Sequence, residues 1–125
     1  MYLIECINAY IAATQMQQKE TDYQTAYALL RVKRELQTQV DFFRAEELKL
    51  IKKYARTDES GQIQWLENER FAFEDAASAE EFKREREKLC MTQIDEPETL
   101  RAPIPERISP VQLEALEKFI RFGEE

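Results

Sequence analysis

The residues in this chain that could do chemistry are few. They are 25 acids, two cysteines and a cluster of aromatics beside the acids, and there is no histidine among the 125 residues. Lack of histidine removes the Ser-His-Asp and Cys-His nucleophiles and every imidazole metal ligand. Glycine occurs only at Gly61 and Gly123, so a phosphate-cradling glycine loop is excluded. Glu46 and Glu47 are adjacent on a helical pattern and point about 100° apart, which is wrong for a carboxylate dyad. Asp58-Glu59-Ser60-Gly61 has too few alternating oxygen ligands for a calcium loop. Cys6 and Cys90 match no CxxC spacing, and two buried reduced thiols are expected. The chain therefore reads as a non-enzyme, with no catalytic residue, cofactor or metal.

What remains is charge. The net charge is −7, and residues 57–81 hold eight acids (Asp58, Glu59, Glu67, Glu69, Glu74, Asp75, Glu80, Glu81) against Arg70 alone. Elsewhere acids and bases balance. Residues 31–56 carry eight bases and four acids. Such asymmetry steers association and says nothing about fold. The candidate partner-binding residues are Trp65, Glu67, Glu69, Arg70, Phe71, Glu74 and Asp75. The plainer reading is that the acids keep neighbouring aromatics soluble. Arg31, Lys33, Arg34, Lys49, Lys52, Lys53 and Arg56 could meet phosphates, but the acidic balance of the whole chain opposes non-specific nucleic-acid binding.

The elements that must position these residues are mainly helical. A first helix is expected over residues 3–16, with Leu3, Ile4, Ile7, Tyr10 and Ile11 at helical spacing. Thr21 or Asp22 caps the next helix. From Ala26 the sequence steps by three and four through Leu29, Lys33, Leu36, Val40, Phe43, Glu47, Leu50 and Tyr54. This is a heptad seam, widened by Leu30 and Ile51, in a helix over about 23–56. A rod of that length needs other helices or another chain to cover its stripe. Lys33 and Glu47 break the seam. They are expected where covering helices end, or else as register-setting residues of a coiled coil.

Asp58 to Gly61 reads as a turn. Ile63 and Trp65, then Phe71 and Phe73, alternate around Leu66-Glu67-Asn68-Glu69-Arg70, which predicts a small β-hairpin at about 62–74. Ser78 with Glu81 forms a capping box for a charged helix from 79 to about 89, whose inner face is only Phe82 and Leu89. Residues 90–94 read as a short strand and 95–107, with three prolines, as an extended connector. Ser109, Pro110 and Gln112 open a C-terminal helix at about 110–122 with Val111, Leu113, Leu116, Phe119 and Ile120 on its apolar face and Gly123 as its C-cap. That helix is expected to dock on the long one. The whole is one helical domain over 1–125, mainly α, elongated around the long helix, with an acidic hairpin insert at about 57–77.

No apolar run approaches the ~20 residues of a membrane span, and the N-terminus has no basic signal-like region, so a cytosolic protein without membrane contact is expected.

The order of features resembles a known family. A long helix ends in LKLIKKYA (residues 48–55), DESGQIQW follows (58–65), then FEDAASAEEFKREREKL (73–89) and ISPVQLEALEKFI (108–120). This resembles a family of small uncharacterised proteins of tailed bacteriophages and prophages of Gram-positive bacteria. The resemblance implies a phage origin and carries over no catalytic residue. The helix–hairpin–helix middle is also similar in outline to a prefoldin subunit, from which it departs in its short second helix. The expectation is thus a phage-encoded interaction protein, an assembly accessory or host-takeover factor in the host cytoplasm or on the virion. It would bind a phage or host protein, or another copy of itself. The alternative is an acidic inhibitor of a host nucleic-acid enzyme or defence nuclease, of the anti-CRISPR kind, using 57–81 as a phosphate mimic.

Overall fold

The computed structural model describes residues 1–19, 21–67, 70–105 and 107–123. It is mainly α, with a long helix at its centre. In chain order the described elements are α1 (Leu3–Gln17), α2 (Tyr23–Tyr54), α3 (Ala76–Cys90), β1 (Leu100–Ala102), α4 (Pro110–Leu116) and β2 (Ile120–Phe122). Asp22 caps α2, its carboxylate accepting from Thr25 N at 2.7 Å. The 32 residues of α2 extend about 48 Å at 1.5 Å per residue.

The cover on α2 comes from opposite ends of the sequence. α1 packs antiparallel along its first two thirds: Leu3 meets Phe43, Tyr10 Oη donates to Gln37 at 3.2 Å, and Lys33 Nζ donates to Gln17 at 3.0 Å. α3 covers the last third, with Cys90 beside Phe43, Arg86 on Glu47 and Phe82 against Tyr54. Two helices of 15 residues thus make one arm matched to a helix of 32. The join is hydrogen-bonded. Leu3 N donates to Thr92 O at 2.8 Å and Ile94 N to Met1 O at 2.9 Å, around an antiparallel bridge between Tyr2 and Gln93.

The two breaks in the heptad seam fall at the ends of this cover. Lys33 reaches the last residue of α1 and sits 5.0 Å from the Tyr10 ring centroid. Glu47 lies where α1 has given way to α3, and its carboxylate accepts from Arg86 Nε at 2.8 Å.

The main core joins α1, α2 and the C-terminal elements through Met16, Leu29, Leu36, Leu116 and Ile120, all fully buried. α2 buries more than its seam: Thr25, Ala28 and Val32 are also inside, because β1 packs on α2 beside α1. Cys6 and Cys90 are free and buried. Burial raises the Cys6 thiol pKa to about 11, which leaves it unreactive at neutral pH.

Several expected boundaries move. α2 ends at Tyr54 rather than 56, since Ala55 turns extended (φ −74°, ψ 149°) and pairs with Phe73. α3 begins three residues before its expected start. Asp75, not Ser78, is the N-cap, accepting from Ser78 N at 2.7 Å. The 90–94 strand shrinks to the Gln93 bridge, because Cys90 is still helical. α4 stops at Leu116 instead of 122. Its Ser109–Pro110–Gln112 start is as expected, but the chain then turns into β2, which pairs parallel with β1. Gly123 (φ 122°) therefore ends a strand and not a helix, its N–H donating to Ala102 O at 3.0 Å.

α4 docks on α1 rather than on α2. The Gln112 side chain fixes it there, donating to Gln15 Oε1 and accepting from Lys19 Nζ, both at 3.2 Å. With its face set by Gln112 and Leu116, α4 turns Val111 outward (76% exposed) together with Leu113. No described helix is long and apolar enough to cross a membrane.

Candidate functional site

The 55–75 segment is built from two turns and a ring stack. Asp58 anchors the first turn. One carboxylate oxygen accepts from Ser60 N (2.9 Å), Gln62 N (3.0 Å) and Ser60 Oγ (3.1 Å). Three donors on one carboxylate hold its pKa below the usual value, the Gln62 N–H having the largest effect. Gly61 supplies the positive φ (81°) that closes the turn. The second turn joins Trp65 and Phe71 through an antiparallel bridge, with Leu66 N donating to Arg70 O at 2.7 Å.

The hairpin differs from a regular two-stranded ladder. Its arms part at the base, Ile63 pairing with Thr57 and Phe73 with Ala55. Arg56 is held between them, its N–H donating to Ala72 O (2.7 Å) and its carbonyl accepting from Gln64 N (3.0 Å). The fold's two-stranded sheet is β1–β2, elsewhere in the chain.

Aromatic rings attach this hairpin to the rod. Phe71, Phe73 and Phe82 contact one another at centroid distances of 5.1–5.6 Å, and Tyr54 reaches Phe82 at 6.4 Å. Trp65 stands edge-on to Phe71 at 6.1 Å. Such edge-to-face pairs contribute about 0.5–1.5 kcal/mol each beyond burial. Phe82, the one large apolar residue in the first half of α3, is the anchor, and its isolation in EEFKREREK signalled that role.

The expected binding residues divide accordingly. Phe71 is half-buried at the centre of the ring stack, an internal support. Asp75 is occupied by Ser78 at the α3 N-terminus, which lowers its pKa. Glu74 sits beside it at the hairpin base. Trp65 and Glu67 are exposed at the tip with Arg70, and Trp65 is 51% accessible. Glu69 lies outside the described residues. Leu66, which sequence reasoning placed in a polar loop, is 53% exposed next to Trp65 and extends the apolar tip.

Among the described residues, Glu59, Glu67 and Glu74 form no ion pair. Lys52 and Lys53 lie in the last turn of α2, where cations suit the helix dipole. Lys53 sits 5.2 Å from the Tyr54 ring centroid. No group of three Asp, Glu or Cys residues among those described could hold a metal ion.

A concavity of about 580 Å³ opens between α1 and α4 around Ile11, Ala12, Val111 and Ala115. Two of its charged rim residues are tied to each other: Lys118 donates to Glu5, whose other oxygen accepts from Tyr2 N at 2.7 Å.

Comparison with protein-family models, curated proteins and solved structures finds no match for this chain.

Proposed function

We propose that this chain is a non-enzymatic interaction protein that docks on a protein partner through the tip of its acidic hairpin. The observation that carries the reading is Trp65 beside Leu66, both about half-exposed, on a turn whose internal rings already hold it in place. Tryptophan at the edge of a fixed scaffold, followed by the exposed Leu66 and Glu67, is the composition of a binding hot spot rather than of a solvated loop. The unpaired carboxylates favour a basic surface on the partner. The order of sequence features supports a phage origin, with assembly or host takeover in the host cytoplasm, or attachment to the virion, as the setting for a stoichiometric contact.

Two variants test this, with co-purification from infected cells as the readout. Trp65→Ala is expected to lose the partner while the helical circular dichroism stays unchanged. A Glu67→Lys, Glu69→Lys, Glu74→Lys triple reversal is expected to weaken capture strongly. A strict monomer that retains nothing, or capture unaffected by both variants, overturns the reading. The unpaired Glu59, Glu67 and Glu74 also favour the second reading, phosphate mimicry against a host nucleic-acid enzyme. There the reversal abolishes inhibition and Trp65→Ala spares it.

A further inference from the structure

A surface helix turns a polar face away from its core. On α2 that outward face opens with Tyr23 and Tyr27, 94% and 61% exposed, and later carries Leu48 at 41%. Apolar side chains scattered singly on a surface need no explanation. These are not scattered. From Tyr23 the outward positions step by three and four residues as far as Lys52, a straight stripe about 44 Å long at 1.5 Å per residue.

The stripe complements its own reversal. Turned about the midpoint between Gln37 and Thr38, it sets Tyr23 opposite Lys52, Tyr27 opposite Leu48, Leu30 opposite Ala45 and Arg34 opposite Asp41. The matches are a cation on an aromatic face, two apolar side chains, a large residue over a small one, and opposite charges. All of these residues are exposed except Leu30, which is half-buried. Among the described residues neither Arg34 nor Asp41 forms an ion pair. Gln37, which donates to Asp41 Oδ1 at 2.9 Å, is neutral and leaves the carboxylate its charge.

We propose that α2 docks along this stripe, antiparallel, against α2 of a second copy of this chain. A two-fold interface uses the same patch on both copies, so the patch must complement its own reversal, and each match is made twice. Two Arg34–Asp41 pairs then stand on either side of the two-fold axis. Parallel docking fails on the same residues, because it sets Arg34 against Arg34 and Asp41 against Asp41. Helices packed in this way lie about 8–10 Å apart, and the small Ala45 makes room for Leu30. Arg31 and Lys49 border the stripe in both copies and oppose the contact, which makes the dimer a weak one, of micromolar order. The contact uses none of the hairpin residues.

Sedimentation velocity of the full chain across the micromolar range is the test. The parent is expected to pass from monomer to dimer as its concentration rises. Arg34→Asp and Asp41→Arg should each weaken dimerisation at least about tenfold, since each creates two like-charge contacts. Combining them exchanges the signs of the pair and should recover the parent's dimerisation to within about threefold. Far-UV circular dichroism reports whether the helices stay intact under these exposed substitutions. Direction is read by mild oxidation: Thr38→Cys, beside the two-fold axis, should crosslink to its own copy, and Gln24→Cys should not. Trp65→Ala should leave the dimer unchanged, so that loss of the hairpin contact and loss of the dimer are separate results. A parent that stays monomeric, single reversals without effect, or a double reversal no better than the singles would overturn the proposal. Crosslinking through Gln24→Cys but not Thr38→Cys would do the same.

Discussion

The two ends of the long helix are held by different kinds of contact. At its first half, α1 and the C-terminal elements close over aliphatic side chains. Met16, Leu29, Leu36, Leu116 and Ile120 have essentially no exposure. At its last third, α3 and the hairpin meet it through rings, and Phe71, Phe73 and Phe82 all remain partly open to solvent. Here the aliphatic contacts withdraw their side chains fully from water, whereas the edge-to-face rings fix geometry with less complete burial. The difference assigns stability to one end and leaves apolar surface available at the other, which is what a contact with a second molecule needs.

The comparison breaks most visibly at Leu36. Truncation to alanine empties a site with 1% exposure in the main core, and a loss of about 2–5 kcal/mol is expected by urea unfolding. Phe82→Ala should cost less, about 1–2 kcal/mol, because the ring is already partly open to solvent. Its distinguishing signature is local. Amide exchange should accelerate over 55–75 and the first turns of α3 while α1 and the first half of α2 keep their protection. Uniform acceleration along α2 would show that the two ends unfold as one unit and that the contrast is only chemical.

Much of this was legible in the chain because local rules and tertiary needs agree. The seam from Leu29 to Tyr54, the Asp22 cap and the Ser109–Pro110–Gln112 start all follow from periodicity and capping. The sites where the reading moved are those where distant backbone decides. Gly123 is as good a helix C-cap as a strand end, and only pairing with Ala102 selects the second. Ser78 with Glu81 is a sound capping box, yet Asp75 wins because Phe73 must reach Ala55 and the helix can begin at once. Thr25, Ala28 and Val32 lie off the heptad and become core because a second layer, β1 (Leu100–Ala102), arrives from far downstream. In the hairpin, sequence placed Trp65 beside the tip but could not separate Phe71, a support, from Glu67, which makes no ion pair among the described residues. Neither residue type nor alternation tells an anchoring ring from an open one.

The smallest effect sharpens the contrast from the aliphatic end, where charge contributes little even when it is well placed. Glu5 links the start of α1 to Lys118 just beyond α4, and its other oxygen accepts from Tyr2 N. The Lys118 hydrogen bond first, and the Tyr2 N–H second, hold its pKa below the ordinary 4.5. A depressed folded-state value means that the native state binds fewer protons than the unfolded chain. The stabilisation is therefore complete above about pH 4.5 and is lost as pH falls through the lower native value. Both side chains are partly exposed (30% and 49%), so solvent screening keeps the contribution small. Glu5→Gln should accordingly lower stability slightly at pH 7 and flatten its decline between about pH 5 and 3 in urea melts. Asp58 and Asp75, also depressed, keep their share of that decline in the variant. A decline equally steep in parent and variant would assign the acid sensitivity to Asp58 and Asp75, and replacing both with Asn would then flatten it.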